Sequence, residues 1–198
     1  MIVVHPDGYQ KTWNGVTCCG AAVRNNIDDV QFVRDMLDQV LIPKYCVDAK
    51  RVYATGLSNG AFLAHRLACE LSDRIAAIVS VAGLNGTPAC PPRRAVSVLH
   101  IHGTADAVIP YARALPTVQG WANRNGCTRG PEETFRNRDA HCDTWSGCNG
   151  GTTVTFCTID DLGHRWPGST GVEGAGAMSA DISAGSFGAD FMLHYSLP

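Results

Sequence analysis

A serine, an aspartate and a histidine in that order can together perform acyl transfer, and this chain holds such a set at Ser58, Asp106 and His164. A serine hydroxyl is a weak nucleophile at neutral pH. It needs a general base, and the base needs a carboxylate that fixes its orientation and stabilises its cation. Ser58 is the centre of Gly56-Leu57-Ser58-Asn59-Gly60, a G-x-S-x-G pentapeptide. Asp106 closes His102-Gly103-Thr104-Ala105-Asp106, and His164 sits in Gly163-His164-Arg165-Trp166-Pro167-Gly168. The chemistry such a set supports is attack on an acyl carbonyl, with proton transfer through the imidazole and no metal or organic cofactor.

The elements around these residues place each in a loop beyond a strand. Val52-Tyr53-Ala54-Thr55 is a β-branched and aromatic run that suits a buried strand. After Ser58, Ala64, Leu67, Ala68 and Leu71 recur at i, i+3, i+4 and i+7, one face of a helix. A strand that turns sharply into a helix at a serine is a nucleophile elbow. Gly56 and Gly60 fit a turn so tight that side chains two before and two after the serine would collide. Val96–Ile101 predicts a strand running into the Asp106 loop. Thr153–Ile159 predicts the strand before His164.

Rival residues fit less well. Asp160 and Asp161 follow the last strand and lie too near the histidine. His100 falls within a strand, His65 within a helix and His194 in the tail. His102 precedes Asp106 and is read as a support for that loop. His141 is read as an exposed hairpin residue, and His5 sits in a turn with Pro6-Asp7-Gly8.

Along the rest of the chain, Ile2-Val3-Val4 reads as a strand and residues 9–26 as a long ordered loop. Ile27–Leu41 reads as an amphipathic helix with Val30, Val33, Leu37 and Val40 inward and Asp28, Asp29, Arg34, Asp35 and Asp38 outward. Ile75–Ala82 is a continuous apolar run, as in a central parallel strand. Pro116 opens a helix to Asn125, and Thr134–Cys142 with Thr153–Ile159 reads as a hairpin-like pair. Gly168–Gly188 reads as loop, with a short helix near Ala189–His194. Alternating strands and helices predict an α/β fold with a mostly parallel sheet, in one domain over residues 1–198.

Composition narrows the function. Charged residues make up 17% of the chain and the net charge is −2, with no basic cluster, which excludes a nucleic-acid groove. No apolar run approaches the ~20 residues that span a bilayer. No signal peptide is read at Met1. Nine cysteines without C-x-x-C spacing predict a disulfide framework from an oxidising, secreted or periplasmic setting, with an odd thiol left over. Reasonable pairings are Cys148 with Cys157, Cys127 with Cys142, Cys69 with Cys90, and Cys46 with Cys18 or Cys19.

Assembled, the motifs PDGY, TWN, CCG, NNIDDVQFVRDML, RVYATGLSNGA, RLACELSDRIAAIVSVAG, HIHGTADAVIPY and GHRWPG resemble those of the secreted polyhydroxybutyrate depolymerase and feruloyl esterase group. These are serine esterases of the α/β-hydrolase fold, related to carbohydrate esterase family 1. The resemblance covers nearly the whole chain in the family's order. It implies Ser58 as nucleophile, Asp106 as acid and His164 as base. It also implies that Trp13, Asn14 and Trp166 border the substrate cleft. From the residues alone, Trp166 serves equally as a packing anchor or a substrate platform.

One departure is large. The family carries several tens of residues before the strand at Ile2, with a signal peptide and a loop that supplies one oxyanion-hole amide. The fold is therefore expected to be shortened at its N-terminal side. The amide of Asn59 remains as one oxyanion donor, and a loop near Trp13–Asn14 or a neighbouring subunit is a source for the second. An uncovered sheet edge near Ile2 predicts a homo-oligomer. Two readings follow. The first is a serine carboxylesterase acting on short acyl or small aryl esters of feruloyl, acetyl or 3-hydroxybutyrate type, free or polymer-linked. The second is a catalytically impaired hydrolase that binds polysaccharide or polyester through Trp13 and Trp166.

Overall fold

The structure is a computed structural model that describes residues 1–87, 89, 90, 93–171 and 174–198. Among these residues, the helices are α1 (Gly20–Arg24), α2 (Asp29–Asp35), α3 (Ile42–Lys44), α4 (Asn59–Glu70), α5 (Ala114–Arg124) and α6 (Ala184–Leu193). The strands are β1 (Tyr53–Leu57), β2 (Ala77–Val81), β3 (Ser97–Gly103), β4 (Arg129–Asn137), β5 (Ala140–Ser146) and β6 (Val154–Ile159). They form one six-stranded sheet in the order β1-β2-β3-β6-β5-β4. The first four strands of that order are parallel, and β5 and β4 continue it antiparallel.

The parallel strands β2, β3 and β6 are buried on both faces, which explains why their sequences are near-continuous apolar runs. One face packs Ile78, Val98 and Phe156 against Val33 of α2, Leu63 and Leu67 of α4 and Trp121 of α5. The other packs Val79, Leu99 and Ile159 against Ile182 and Ala184 and Met192 of α6. No described helix is long and apolar enough to cross a membrane.

Several local expectations are corrected. Ile2-Val3-Val4 forms no strand; residues 1–8 have no sheet partner and Ile2 to Val4 are exposed. The open edge of the parallel part of the sheet is β1, which is only half-buried instead of buried. Residues 1–6 lie across from β1, and a cavity of about 720 Å³ opens between them. The amphipathic helix is interrupted by a π-helical turn at Met36–Leu41. The wider turn shifts the helical phase, so Leu37 stays in the core while Val40 turns outward to 40% exposure. Asp29, expected on the polar face, is buried because its carboxylate accepts the Asn14 N–H at 2.6 Å. The hairpin is β4–β5, turning at residues 138 and 139, and β6 pairs with β5 on its far side. His141 is half-buried on β5, where it was expected to be exposed. The C-terminal helix begins earlier, at Ala184, with Ser183 capping it. Residues 172 and 173 of the expected Gly168–Gly188 loop lie outside the described residues.

Four disulfides are present: Cys18–Cys19, Cys69–Cys90, Cys127–Cys148 and Cys142–Cys157; Cys46 is free and exposed. Only the Cys69–Cys90 pairing was legible. Sheet register decides the rest, since Cys142 and Cys157 are direct cross-strand partners on β5 and β6. The three long-range bridges span 21, 21 and 15 residues. Each contributes roughly 2–4 kcal/mol. At about 2–4 °C per kcal/mol, reducing all three lowers the melting temperature by more than about 10 °C. Calorimetry with and without reductant, alongside a thiol titration, checks this. An unchanged melt with nine reactive thiols overturns the disulfide framework.

Candidate active site

The parallel strands end on one edge of the sheet, and the three residues singled out by spacing all leave from that edge. Ser58 follows β1, Asp106 follows β3 and His164 follows β6, with β3 and β6 adjacent. Crevices outside the C-terminal ends of parallel strands are where α/β sheets gather ligands.

Ser58 caps α4 with φ 53° and ψ −117°, a strained conformation for a non-glycine residue. The strain is held from both sides: the Ser58 amide donates to Val81 O of β2 at 2.9 Å, and Phe62 N donates to Ser58 O at 3.0 Å. Gly56 makes the turn possible, because a Cβ there would come within 2.5 Å of the Gly60 carbonyl carbon. A Cβ at Gly60 would meet open space, so the expected collision exists at Gly56 alone. Sequence reasoning missed Gly83, where a Cβ would stand 2.7 Å from Ser58 O; the apolar run before it carried no sign of that crowding.

The acid and base are joined. His164 Nδ1 donates to Asp106 Oδ2 at 2.8 Å, and both residues are buried. Asp106 Oδ1 accepts from the backbone N–H groups of Val108 and Ile109, each at 2.8 Å. With Oδ1 so fixed, Oδ2 is aimed at the imidazole. The two loops are stitched by Ala105 N to Leu162 O at 3.1 Å and Asp161 N to Thr104 Oγ1 at 2.9 Å. With Nδ1 donating, His164 Nε2 carries the lone pair a general base needs. Ser58 Oγ makes no hydrogen bond among the described residues; the base–acid link is formed and the nucleophile–base link is not.

The side chain of Asn59 ties the elbow to the N-terminal loop. Asn59 Oδ1 accepts from Trp13 N at 2.6 Å, and Asn59 Nδ2 donates to Trp13 O at 2.8 Å. Trp13 is half-buried, stacked on Phe32 with ring centroids 6.2 Å apart, and it lines the cavity beside β1. Asn14 is buried. Its amide nitrogen donates to Ile27 O at 2.9 Å and its amide oxygen accepts from Val16 N at 3.1 Å. Both polar ends are committed inside the loop, which makes Asn14 a part of that loop's scaffold. Trp166 is half-buried against the α6 side of the core.

This loop does not supply a second oxyanion donor. The amides of residues 13–17 are all engaged, with Asn59 Oδ1, Asp29, Trp13 O and Cys18 O, Asn14 Oδ1 and Gly15 O respectively. The amide of Asn59 opens α4, where the first turn leaves N–H groups without intrahelical partners.

No family model matches the chain. Feruloyl esterase B of Piromyces equi is 34% identical over 221 residues, covering 100% of this chain and 37% of that protein. The chain is thus similar in sequence to a feruloyl esterase. The bifunctional acetylxylan esterase/xylanase XynS20E of Neocallimastix patriciarum is 27% identical over 150 residues, covering 73% of the chain and 22% of that protein. The chain thus spans well under half the length of either relative. An acetyl xylan esterase structure from Aspergillus awamori superposes with a TM-score of 0.62 at 16% identity, over 83% of this chain and 66% of that one. A thermostable esterase does so with a TM-score of 0.50, over 87% of this chain and 37% of that one. The structural likenesses show the α/β-hydrolase fold. The names of the two curated relatives are feruloyl and acetylxylan esterase, not polyester depolymerase.

Proposed function

We propose that the chain is a serine carboxylesterase in which Ser58 is the nucleophile, His164 the general base and Asp106 its orienting acid. One observation carries the reading: His164 Nδ1 meets Asp106 Oδ2 at 2.8 Å on the same sheet edge that holds Ser58 at φ 53°. Ser58 Oγ attacks the ester carbonyl as His164 Nε2 takes its proton, a contact that tightens when substrate is bound. The Asn59 amide, at the N-terminus of α4, stabilises the oxyanion. His164 then protonates the departing alcohol, and water cleaves the acyl-enzyme by the same route. The substrates are short acyl or small aryl esters of feruloyl or acetyl type, free or attached to a polysaccharide. Trp13, tied to the elbow through Asn59, and Trp166, two residues after His164, border the cleft in this reading. The protein works in an oxidising compartment, a reading that its four disulfides support.

The test is hydrolysis of p-nitrophenyl acetate and methyl ferulate, together with labelling by an organophosphonate. Turnover and a single adduct on Ser58 are the expected results. Absence of both would return the polysaccharide-binding reading.

The open β1 edge adds a second expectation. An unpaired strand edge beside an apolar cavity favours pairing with another copy. Light scattering at micromolar concentration should give about twice the chain's 21.1 kDa. A monomer mass across the concentration range overturns this.

A further inference from the structure

Behind Asp106 stands a row of buried histidines that the proposed reaction does not use. His65 on α4 and His100 and His102 on β3 are all fully buried. His65 stacks on Trp121 of α5 with centroids 6.1 Å apart, and on His100 at 5.8 Å; His100 stacks on His102 at 5.4 Å. Among the described residues no group of three or more His, Cys, Asp or Glu side chains is arranged to hold a metal ion, so the row is not a ligand set.

The hydrogen bonds along this row have a direction, and both ends fix it. A tryptophan indole can only donate, so His65 Nδ1 accepts from Trp121 Nε1 at 3.0 Å. A carbonyl can only accept, so His102 Nε2 donates to Ile109 O at 2.9 Å, and it stands 3.3 Å from Asp106 Oδ2. Burial holds these rings neutral. It pushes His65 down to about 3, assisted by the nearby Arg124 charge. It lowers His100 well below the ordinary histidine value, with His102 and His65 adding to the effect, and it lowers His102. A neutral imidazole has one donor and one acceptor. His102 Nδ1 is therefore an acceptor, and His100 Nε2 donates to it at 3.1 Å. That leaves His100 Nδ1 as an acceptor and His65 Nε2 as a donor.

These two atoms are orphans. His65 Nε2 and His100 Nδ1 have no hydrogen-bond partner among the described residues, and neither does Ser80 Oγ. Ser80 is the cross-strand partner of His100 on β2, so both side chains leave the same face of the sheet. A buried donor, a buried acceptor and a hydroxyl that can be either are the three partners a buried water typically takes. Each orphan is costly alone.

We infer that His65, His100 and His102, joined by one buried water held between His65 Nε2, His100 Nδ1 and Ser80 Oγ, form a one-directional hydrogen-bond chain from Trp121 that ends on the Ile109 carbonyl and so positions the Asp106 carboxylate, whose Oδ1 is held by the Ile109 N–H and whose Oδ2 stands 3.3 Å from His102 Nε2. Every donor in the chain points toward the Asp106 loop, the last of them at Ile109 O. His102 is thus a positioning residue, holding Ile109 through its carbonyl and standing 3.3 Å from the Oδ2 that faces His164. This inference rests on the serine-esterase reading for its kinetic consequence but not for its geometry.

Two measurements test it. Long-range ¹H–¹⁵N correlation at pH 7 on the intact protein reads each histidine's tautomer independently of turnover. His65, His100 and His102 should all give the neutral Nε2–H pattern. A Nδ1–H tautomer or a charged ring at any of the three overturns the chain. Kinetics then test positioning, with rates normalised to phosphonate-titrated sites. His102→Leu removes the donor and should lower kcat about 10- to 100-fold with KM little changed. His102→Gln, whose amide nitrogen falls near Nε2, should recover most of the loss. Equal losses in both variants, or a loss that vanishes on normalisation, would mean that His102 serves the fold alone. If the wild type turned over no ester, the esterase reading would fail while the tautomers still decided the chain.

Discussion

Ser58→Ala should lower hydrolysis of p-nitrophenyl acetate by a factor on the order of 10⁶ in kcat. The reasoning is structural as well as chemical. Ser58 occupies φ 53°, where a β-carbon is strained, and the molecule sustains that strain with the Val81 and Phe62 backbone bonds and the glycine at position 56. A strained non-glycine residue at a crowded turn marks a site where the side chain is needed. Alanine keeps the Cβ and the backbone, so the melt should stay within about 2 °C, as for a substitution that removes no core packing. The oxyanion donor and the cleft survive the change, so any residual rate measures what binding alone supplies. A variant that retained a tenth of wild-type turnover would remove Ser58 from the mechanism.

The second large effect is expected from Asp106→Asn. Asparagine is nearly isosteric, but its two ends differ. The position of Oδ1 is claimed by two backbone donors, Val108 N and Ile109 N, and so must remain an oxygen. The NH₂ is then forced into the place of Oδ2, where it faces His164 Nδ1 at 2.8 Å and His102 Nε2 at 3.3 Å. To accept from that NH₂, His164 must shift its proton to Nε2. In that tautomer it cannot take a proton from Ser58. The rate should fall about 10⁴-fold with KM little changed. The NH₂ also opposes the His102 donor inside the protein, at a cost of about 1–3 kcal/mol in stability. Steady-state kinetics on titrated enzyme and a thermal melt read the two effects separately. A loss of less than tenfold would mean that another group orients His164; Asp160 and Asp161 are the nearest in sequence.

The order Ser58, Asp106, His164 and their strand-end positions were legible because each rests on local signals. The G-x-S-x-G turn has its own steric logic, and β3 and β6 are short apolar runs followed by turn-forming residues. Period and turn chemistry act over a few residues, and so a sequence records them. The parallel sheet was legible for the same reason, since strands buried on both faces lack alternation. What failed was decided over long range. Ile2-Val3-Val4 has the composition of a strand, but a strand exists only through a partner, and none stands beside it here. Cys142 and Cys157 meet because β5 and β6 pair in one register out of many. Val40 left the core because a π-helical turn changed the phase midway.

The site divides along the same line. Sequence alone determined which residue types are present and which loops carry them. Tertiary structure decided that Asn14 serves its own loop, that the Asn59 side chain clamps Trp13, and that His102 comes within 3.3 Å of Asp106. The histidine row shows the reason most clearly. His65, His100 and His102 sit on a helix and a strand up to 37 positions apart, with nothing in their spacing to link them. Packing α4 onto β3 stacks their rings, and burial then removes the charge that would have kept them independent.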